Sequence, residues 1–463
     1  MNDSKKNGTP IKLTRRGFMG AGAALAAFTI VPRHVLAGSG QQAPSDKLNI
    51  GCVGCGGMQG ASDVRSVSGE NIYALCDVDE AQGGATFVQH PKAVLYKDFR
   101  RLLDKEQKNL DAITITIPDF MHASVALYAM ERGIAVHCQK PLTQTVWEAR
   151  LLAKAQKKYP KVVTQMGNQG YSAVATRIAC EIIWNGDIGD VTEVHSWNGS
   201  GFARGIIEWP PAEEIPKTMN WDLWQGRSGE HTYSSRIHPS NWRGFLEYGT
   251  MMIGDWGIHQ LGPANWALNL SNTYPASVEC TAVEGANTIT YPHYACVTEF
   301  PEREHPMDKN KKMPPVKIFW YEGNMSRNIM PPAGLTQQDI QGFNEIFVGT
   351  KGFVGTSGRG ESVSLVPRSK LEGYTRPPEV LKRVGNHFQD WIQACKGGDS
   401  PCSNFNIAGP YAEWMLLATI SWRFPNEKLL WDGDNMRFTN NEKANEYVKP
   451  KFRKGWEIKD ITI

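Results

Sequence analysis

The stretch KLNIGCVGCGGMQGASDV, Lys47 to Val64, decides the fold. An apolar strand ending at Val53 runs into Gly54-Cys55-Gly56-Gly57-Met58-Gln59-Gly60, and a helical pattern follows. Glycines there let the backbone turn tightly and approach a pyrophosphate, whose charge meets the free N–H groups at the helix start. The strict Gly-x-Gly-x-x-Gly spacing fails, because Gln59 stands in the third glycine's place and Gly60 comes one residue late. Gly54, Gly56, Gly57, Met58 and Gln59 are the expected dinucleotide-loop residues.

Working outward, NIYALCDVDE brings Asp77 to the end of a second strand, 17 residues after Gly60. An acid there accepts from both ribose hydroxyls and repels a 2′-phosphate, so NAD is expected over NADP. A third strand, DAITITIP, leads through Pro118 to His122. The helix after it puts Ala123, Ala126, Leu127 and Met130 on one face until Gly133 stops it. The next strand, IAVHCQKPL (Ile134–Leu142), ends in Gln139-Lys140-Pro141. A lysine ending a core strand costs desolvation unless it has a use. Thr145 and Glu148 read as a capping box, and KVVTQMGNQG ends in Asn168. Strand and helix alternating in this rhythm predict a parallel sheet with right-handed crossovers. Gly54–Gly60, Asp77, Pro118, His122, Gln139, Lys140 and Asn168 then gather at its carboxyl edge, around a nicotinamide cofactor.

Past about residue 185 the rhythm changes. VTEVHSWN, ASVECTAVEG, HYACVTEF, VKIFWYEG and NEIFVGTKG read as strands without regular helices between them. They predict an α+β domain with a large, mainly antiparallel sheet. The charged, proline-rich FPEREHPMDKNKKMPPVK is expected to be a solvated loop. Residues 197–266 hold seven of the 15 tryptophans, which suits either core packing or sugar faces. Within HPSNWRGFLEYG, Asn241, Trp242 and Arg243 are the candidate substrate contacts. In GDWGIHQLG, Asp255 and His259 stand four apart, on one face of a helix, as a workable proton-transfer pair.

Bulk composition sets the frame. The 463 residues are 41% hydrophobic and 21% charged, as in an ordinary globular protein with two or three domains. Residues 1–37 hold six Lys or Arg against one Asp, a surplus of five, so the formal +3 leaves −2 on the rest. A nearly neutral body argues against nucleic acid or an anionic membrane as partner. That front end has a twin-arginine pattern, Thr14-Arg15-Arg16-Gly17-Phe18-Met19, then an apolar run too short to span a bilayer. Val35-Leu36-Ala37 suits cleavage after Ala37. Residues 1–37 are therefore expected to be a signal peptide for export of the folded protein to the periplasm, with no stable membrane anchor. The remaining boundaries are a linker over 38–46, a Rossmann domain over 47–168 and the α+β domain over 169–463, whose last helices can pack back on the first. Nine scattered cysteines, folded under reducing conditions, argue against a disulfide framework. No second pair completes a zinc site with Cys52-Val-Gly-Cys55, so no metal is expected.

These pieces, in this order, resemble the glucose–fructose oxidoreductase and inositol dehydrogenase family, called Gfo/Idh/MocA. The matches are the glycine turn, Asp77, Pro118 with His122, Lys140-Pro141, Asn168 and the Asp255–His259 pair. The tail WDGDNMRFTNNEKANEYVKPKFRKGW looks like that of its exported, twin-arginine members. The resemblance implies a Rossmann domain holding NAD(P), with Lys140, Asp255 and His259 as the catalytic set around a hydroxyl of a sugar, glycoside or cyclitol; export to a periplasm without a soluble NAD pool implies that the cofactor is held tightly. Lys140 would stabilise the developing alkoxide, His259 would take the proton, and Asp255 would orient them. Two departures stand out: the family's Glu-Lys-Pro is Gln139-Lys140-Pro141 here, and Gly262 stands where many members have an acid. A neutral glutamine only hydrogen-bonds the lysine, which then depends on Asp255 for counter-charge. An alternative activity is a redox-assisted glycosidase, oxidising a sugar hydroxyl transiently and eliminating the aglycone. It needs a further base, for which Tyr171 and Tyr248 are the candidates. A non-catalytic binding protein is a third reading. An exposed sheet face makes a homo-oligomer plausible.

Overall fold

The computed structural model describes residues 46–327 and 329–461. The expected signal peptide, and all but the last residue of the expected linker, lie outside the described residues.

The apolar run before the glycines forms β1 (Asn49–Val53), buried along almost its whole length. It takes the centre of a sheet because it needs cover on both faces. After it come α1 (Gly57–Val67), β2 (Asn71–Cys76), α2 (Glu80–Gln89), β3 (Val94–Tyr96), α3 (Phe99–Glu106) and β4 (Ala112–Ile115). Then follow α4 (His122–Met130), β5 (Ala135–Cys138), α5 (Val146–Lys158) and β6 (Thr164–Met166). The six strands pair in parallel in the order β3-β2-β1-β4-β5-β6. Every carboxyl end therefore points to one edge, and the strand order reverses beside β1, where such sheets leave a crevice. Thr145 and Glu148 close the expected capping box, which fixes the start of α5 just beyond Lys140.

After α6 (Val174–Asn185), β7 (Val191–Asn198) begins the second sheet. It continues with β8 (Ser277–Glu284) and β9 (His293–Phe300) and, after a hairpin, β12 (Val316–Glu322), β13 (Glu345–Gly349), β14 (Phe353–Ser357) and β15 (Ser362–Val366). With β16 (Lys428–Asp432) and β17 (Arg437–Phe438) it has nine strands, in the order β15-β14-β13-β7-β12-β9-β8-β16-β17. Only β7 and β12 pair in parallel, so this is a Rossmann fold joined to a mixed, mostly antiparallel sheet. On the sheet, the rings of His195 and Phe319 stack at 4.5 Å.

The expected loop after Phe300 is instead a two-stranded hairpin, β10 (Arg303–His305) and β11 (Asp308–Met313). Most of β11 is exposed, so no apolar alternation marks it in sequence. Arg303 anchors it from below, donating to the carbonyls of Leu268 at 2.5 Å and Pro314 at 2.6 Å.

Two late helices pack on the parallel sheet. On α7 (His387–Cys395), Phe388 stacks on His137 at 4.4 Å and Trp391 joins the core of Ile50, Cys52 and Leu75. On α8 (Phe405–Leu416), Gly409 approaches α5 so closely that a Cβ would stand 2.7 Å from that of Ala153. The described residues from Leu48 onward thus form one packed unit.

Candidate active site

At the carboxyl edge of the parallel sheet lies a cavity of about 540 Å³, ample for small organic ligands. One end of it is the glycine loop. Gly54 has φ +77°, and a Cβ on it would stand 2.1 Å from the Thr116 carbonyl oxygen. Gly60 approaches the loop's own backbone, where a Cβ would meet Gly54 O at 2.7 Å. Gly60 therefore does the third glycine's work one residue late, and Gln59 keeps a side chain. The first turn of α1 has no capping side chain, so its N–H groups remain available beside the cavity. Gly54, Gly56, Gly57, Met58, Gln59, Asp77, Pro118, Gln139 and Lys140 all line it.

Asp77 is partly committed to the loop. Its Oδ2 accepts from Cys55 N at 3.1 Å and Gly56 N at 2.8 Å, and Oδ1 accepts from Asp79 N at 3.0 Å. Carboxylate oxygens retain lone pairs beyond these, so further donors can bind. Cys52 and Cys55 are buried thiols, and burial pushes Cys52 up to about 12, so it is held as the thiol.

At the other end, Lys140 Nζ donates to Asp255 Oδ1 at 2.5 Å and to the Asp255 carbonyl at 3.0 Å. Arg243 Nε lies 3.7 Å from the same carboxylate oxygen. Asp255 sits in a π-helical turn, Ile253–Gly257, that packs on β7 and β12. Such turns re-aim side chains, and this one, with the short helix Ile258–Gln260 that continues it, brings Asp255 and His259 to one cavity. The buried Glu322 holds the start of the turn, accepting from Ile253 N at 3.1 Å. His259 is 3% exposed, and its Nδ1 has no hydrogen-bond partner among the described residues. Burial, then the nearby positive Lys140 and Arg359, hold its pKa well below the usual imidazole range. The ring is therefore neutral at neutral pH, and it takes up a proton only where a developing negative charge nearby offsets the two cations.

Other expected contacts lie behind the wall. His122 is wholly buried, its ring nitrogens each 2.7 Å from the carbonyls of Ile117 and Pro141, and burial drives it down to about 4. It packs the strand ends rather than lining the cavity. Asn168 is also buried, its Oδ1 accepting from Ser403 at 2.5 Å. Tyr171 stacks on Trp266 and bonds Asn265 within the core, and Tyr248 is fully buried, so neither faces the cavity. Asn241 turns to the Arg236 carbonyl, while Trp242 and Arg243 do line the cavity. Of the seven clustered tryptophans, Trp224, Trp242 and Trp256 form wall and the others pack elsewhere.

Three features escaped the sequence reading. Asp119 lines the cavity, its Oδ2 accepting from Thr250 Oγ1 at 2.7 Å, and burial raises it to about 7. Arg359, from the turn after β14, stands 5.3 Å from the Trp256 ring centroid. A clasp also fastens the covering segment to the Rossmann edge. Glu80 N donates to Thr218 O at 3.0 Å, Asn220 N donates to Val78 O at 2.8 Å, and His238 Nε2 lies 3.1 Å from Asp79 Oδ2. Among the described residues no group of three or more His, Cys, Asp or Glu is placed to hold a metal, and no helix is long and apolar enough to cross a membrane.

Two family models match the chain. One, described as an oxidoreductase family with an NAD-binding Rossmann fold, covers residues 48–166. The other, the oxidoreductase family's C-terminal alpha/beta domain, covers 191–292. An inositol 2-dehydrogenase of Salmonella paratyphi B is 30% identical over 182 residues, 37% of this chain and 51% of the relative. One from Arthrobacter is 27% identical over 155 residues, 33% of this chain and 45% of the relative. The chain thus spans about half the length of the curated relatives it matches. Among solved structures, the WlbA dehydrogenase of Bordetella pertussis, in complex with NADH and UDP-GlcNAcA, aligns with TM-score 0.55 at 14% identity, covering 83% of this chain and 99% of that one. The aldose-aldose oxidoreductase of Caulobacter crescentus, complexed with glycerol, aligns with TM-score 0.53 at 15% identity, covering 83% and 100%. At such identities the likeness speaks to fold.

Proposed function

Because the chain belongs to the Gfo/Idh/MocA oxidoreductase family, we propose that it is an NAD-dependent oxidoreductase acting on a hydroxyl of a sugar, glycoside or cyclitol, with its cofactor tightly held. The observation that carries this reading is the continuity of one cavity, from the glycine loop and Asp77 to Lys140, Asp255 and His259. The residues fit a dinucleotide: side-chain-free approach at Gly54 and Gly60, uncapped N–H groups at α1, and an acid at Asp77. The relatives named inositol 2-dehydrogenase support the substrate class.

NAD, when bound, supplies the hydride acceptor. Lys140 donates to the substrate oxygen and stabilises the negative charge that grows there. Asp255, 2.5 Å from Nζ, aims the ammonium group. His259, neutral and buried, takes the hydroxyl proton on the ring nitrogen that carries its lone pair. Trp242 and Arg243 give the cavity an apolar face beside a donor, as a sugar requires. The test is to add a panel of glycosides and cyclitols to the protein as isolated and follow reduced-nicotinamide absorbance. No bound nicotinamide, or none reduced by any member of the panel, removes the reading.

Asp119 favours a second reading, the redox-assisted glycosidase. Elimination needs a base for a C–H beside the transient ketone, and Asp119 is a cavity-wall carboxyl raised to about 7. Its signature would be free aglycone released without added oxidant, whereas a keto-glycoside product favours the first.

We also propose export by the twin-arginine signal, and a homo-oligomer. Changing Arg15 and Arg16 together to Lys should leave the full-length protein in the cytoplasm; unchanged secretion would remove the export reading. Analytical ultracentrifugation tests the oligomer, and a single species of about the chain's 51.5 kDa would count against it.

A further inference from the structure

Asp63 is a buried acid that the chemistry above leaves unused. It lies on α1, one turn beyond Gln59, and is 1% exposed. Its hydrogen-bond partners are three neutral side chains. Gln59 Nε2 donates to Oδ1 at 2.7 Å, while Thr116 Oγ1 and Gln139 Nε2 donate to Oδ2 at 2.7 Å and 2.8 Å. Burying a carboxylate with no cation bonded to it is costly. Burial accordingly raises its pKa, and the three hydrogen bonds and the charge of Lys140 oppose the rise.

The three donors have something in common: Gln59, Thr116 and Gln139 all line the cavity. Asp63 therefore stands one hydrogen bond behind the wall. Gln139 is the link forward, since its Oε1 lies 3.3 Å from Lys140 N. Its amide is packed against Gly167, where a Cβ would come within 2.8 Å of Oε1. The amide is thus held with nitrogen toward the acid and oxygen toward Lys140.

We propose that Asp63 and Gln139 form one electrostatic unit, in which Asp63 carries a fixed negative charge behind the Lys140 end of the cavity and Gln139 couples to it while keeping the wall neutral. Asp63 is then a positioning residue. The inference rests on the reading of Lys140 as the group that meets substrate, but its test does not use turnover. Cys52 on β1 and Lys140 at the end of β5 are the titratable groups facing Asp63. Lys140 in turn faces Asp255, Asp119, His122 and His259.

The experiment compares wild type, Asp63→Asn, Gln139→Glu and the double variant. Gln139→Glu puts two carboxylates where one hydrogen bond of 2.8 Å now lies. At alkaline pH its thermal midpoint should fall by about 2–4 °C, and the gap should close on acidification as the pair shares a proton. The double variant moves the charge forward by one hydrogen bond and should regain most of that loss. The second readout is acetylation of Lys140 by acetic anhydride across pH, mapped by peptide mass spectrometry. Asp63→Asn removes a nearby negative charge, so its profile should move to lower pH by about half a unit, and the double variant should move it back. Additive thermal effects, or an Asp63→Asn profile that superimposes on wild type, overturn the unit. If Gln139→Glu does not fold, the Asp63→Asn profile alone decides. Failure to reduce nicotinamide with any substrate would be a separate result, against the proposed activity and not against this pair.

Discussion

At the glycine-loop end of the cavity the working parts are backbone groups from one unbroken stretch, Gly54 to Gly60. At the Lys140 end they are side chains brought by separate segments: Lys140 after β5, Asp255 from a π-turn on the second sheet, His259 from the short helix that follows it, and Arg359 beyond β14. The first end is intolerant of added bulk, because a single Cβ meets backbone there. The second is intolerant of changed chemistry, because it depends on one ion pair and one neutral imidazole. Binding and reaction should therefore fail separately under substitution.

The largest effect is expected at the chemical end. Lys140→Ala or His259→Ala should lower kcat by about 10²–10⁴-fold, the usual worth of a positioned acid, base or charge. Bound nicotinamide, read by fluorescence, should stay largely in place. Loss of cofactor in step with loss of rate would erase the contrast between the ends.

Gly60→Ala probes the other end. Alanine gains up to about 1 kcal/mol in helix propensity, but the overpacking costs about 1–3 kcal/mol, so the net change is destabilising. Calorimetry should show the lower midpoint and the protein should purify with less nicotinamide, while the turnover of the loaded fraction stays near wild type.

Asp119 gives a pH-dependent difference of smaller reach. Its folded pKa, about 7, lies above the unfolded aspartate value, so the folded state binds the extra proton between them. Its contribution is present in full below about pH 4 and is lost as pH rises through about 7. Asp119→Asn should flatten that part of the stability curve, with the variant gaining on wild type between pH 5 and pH 8. Parallel curves would place the ionisation elsewhere.

At the bottom of the scale is Met58, 88% exposed at the cavity mouth. Met58→Ala should change stability by no more than about 0.5 kcal/mol, because little packing is lost. A large loss of cofactor with unchanged stability would show that its side chain covers the ligand.

The same contrast explains what the sequence discloses. A contiguous loop is written as a contiguous pattern, so strand, glycine turn and helix could be read directly, as could the apolar strands of the second sheet. Side chains at a strand's end are harder, because sequence does not say which way they turn. His122, Asn168 and Tyr171 lie near the cavity in sequence terms, yet they turn inward to carbonyls, a serine and a ring. The hairpin of β10 and β11 is hidden because a mostly exposed charged strand has no apolar period. Asp63 did leave a trace: it shares the buried face of α1 with Gly60, Val64 and Val67, and an acid in an apolar stripe signals a partner. Arg359 left none, since a surface-like turn reaches the site only through the sheet's topology.

The clasp between Val78–Glu80 and the segment Thr218–His238 has a kinetic meaning. Its three links join backbone and side chains of the protein to each other, beside the glycine-loop end of the cavity. A ligand that leaves by that edge leaves no faster than they part together. Residence time would then be set by how often the protein undoes its own stitching, and a weak ligand and a strong one could share one escape rate.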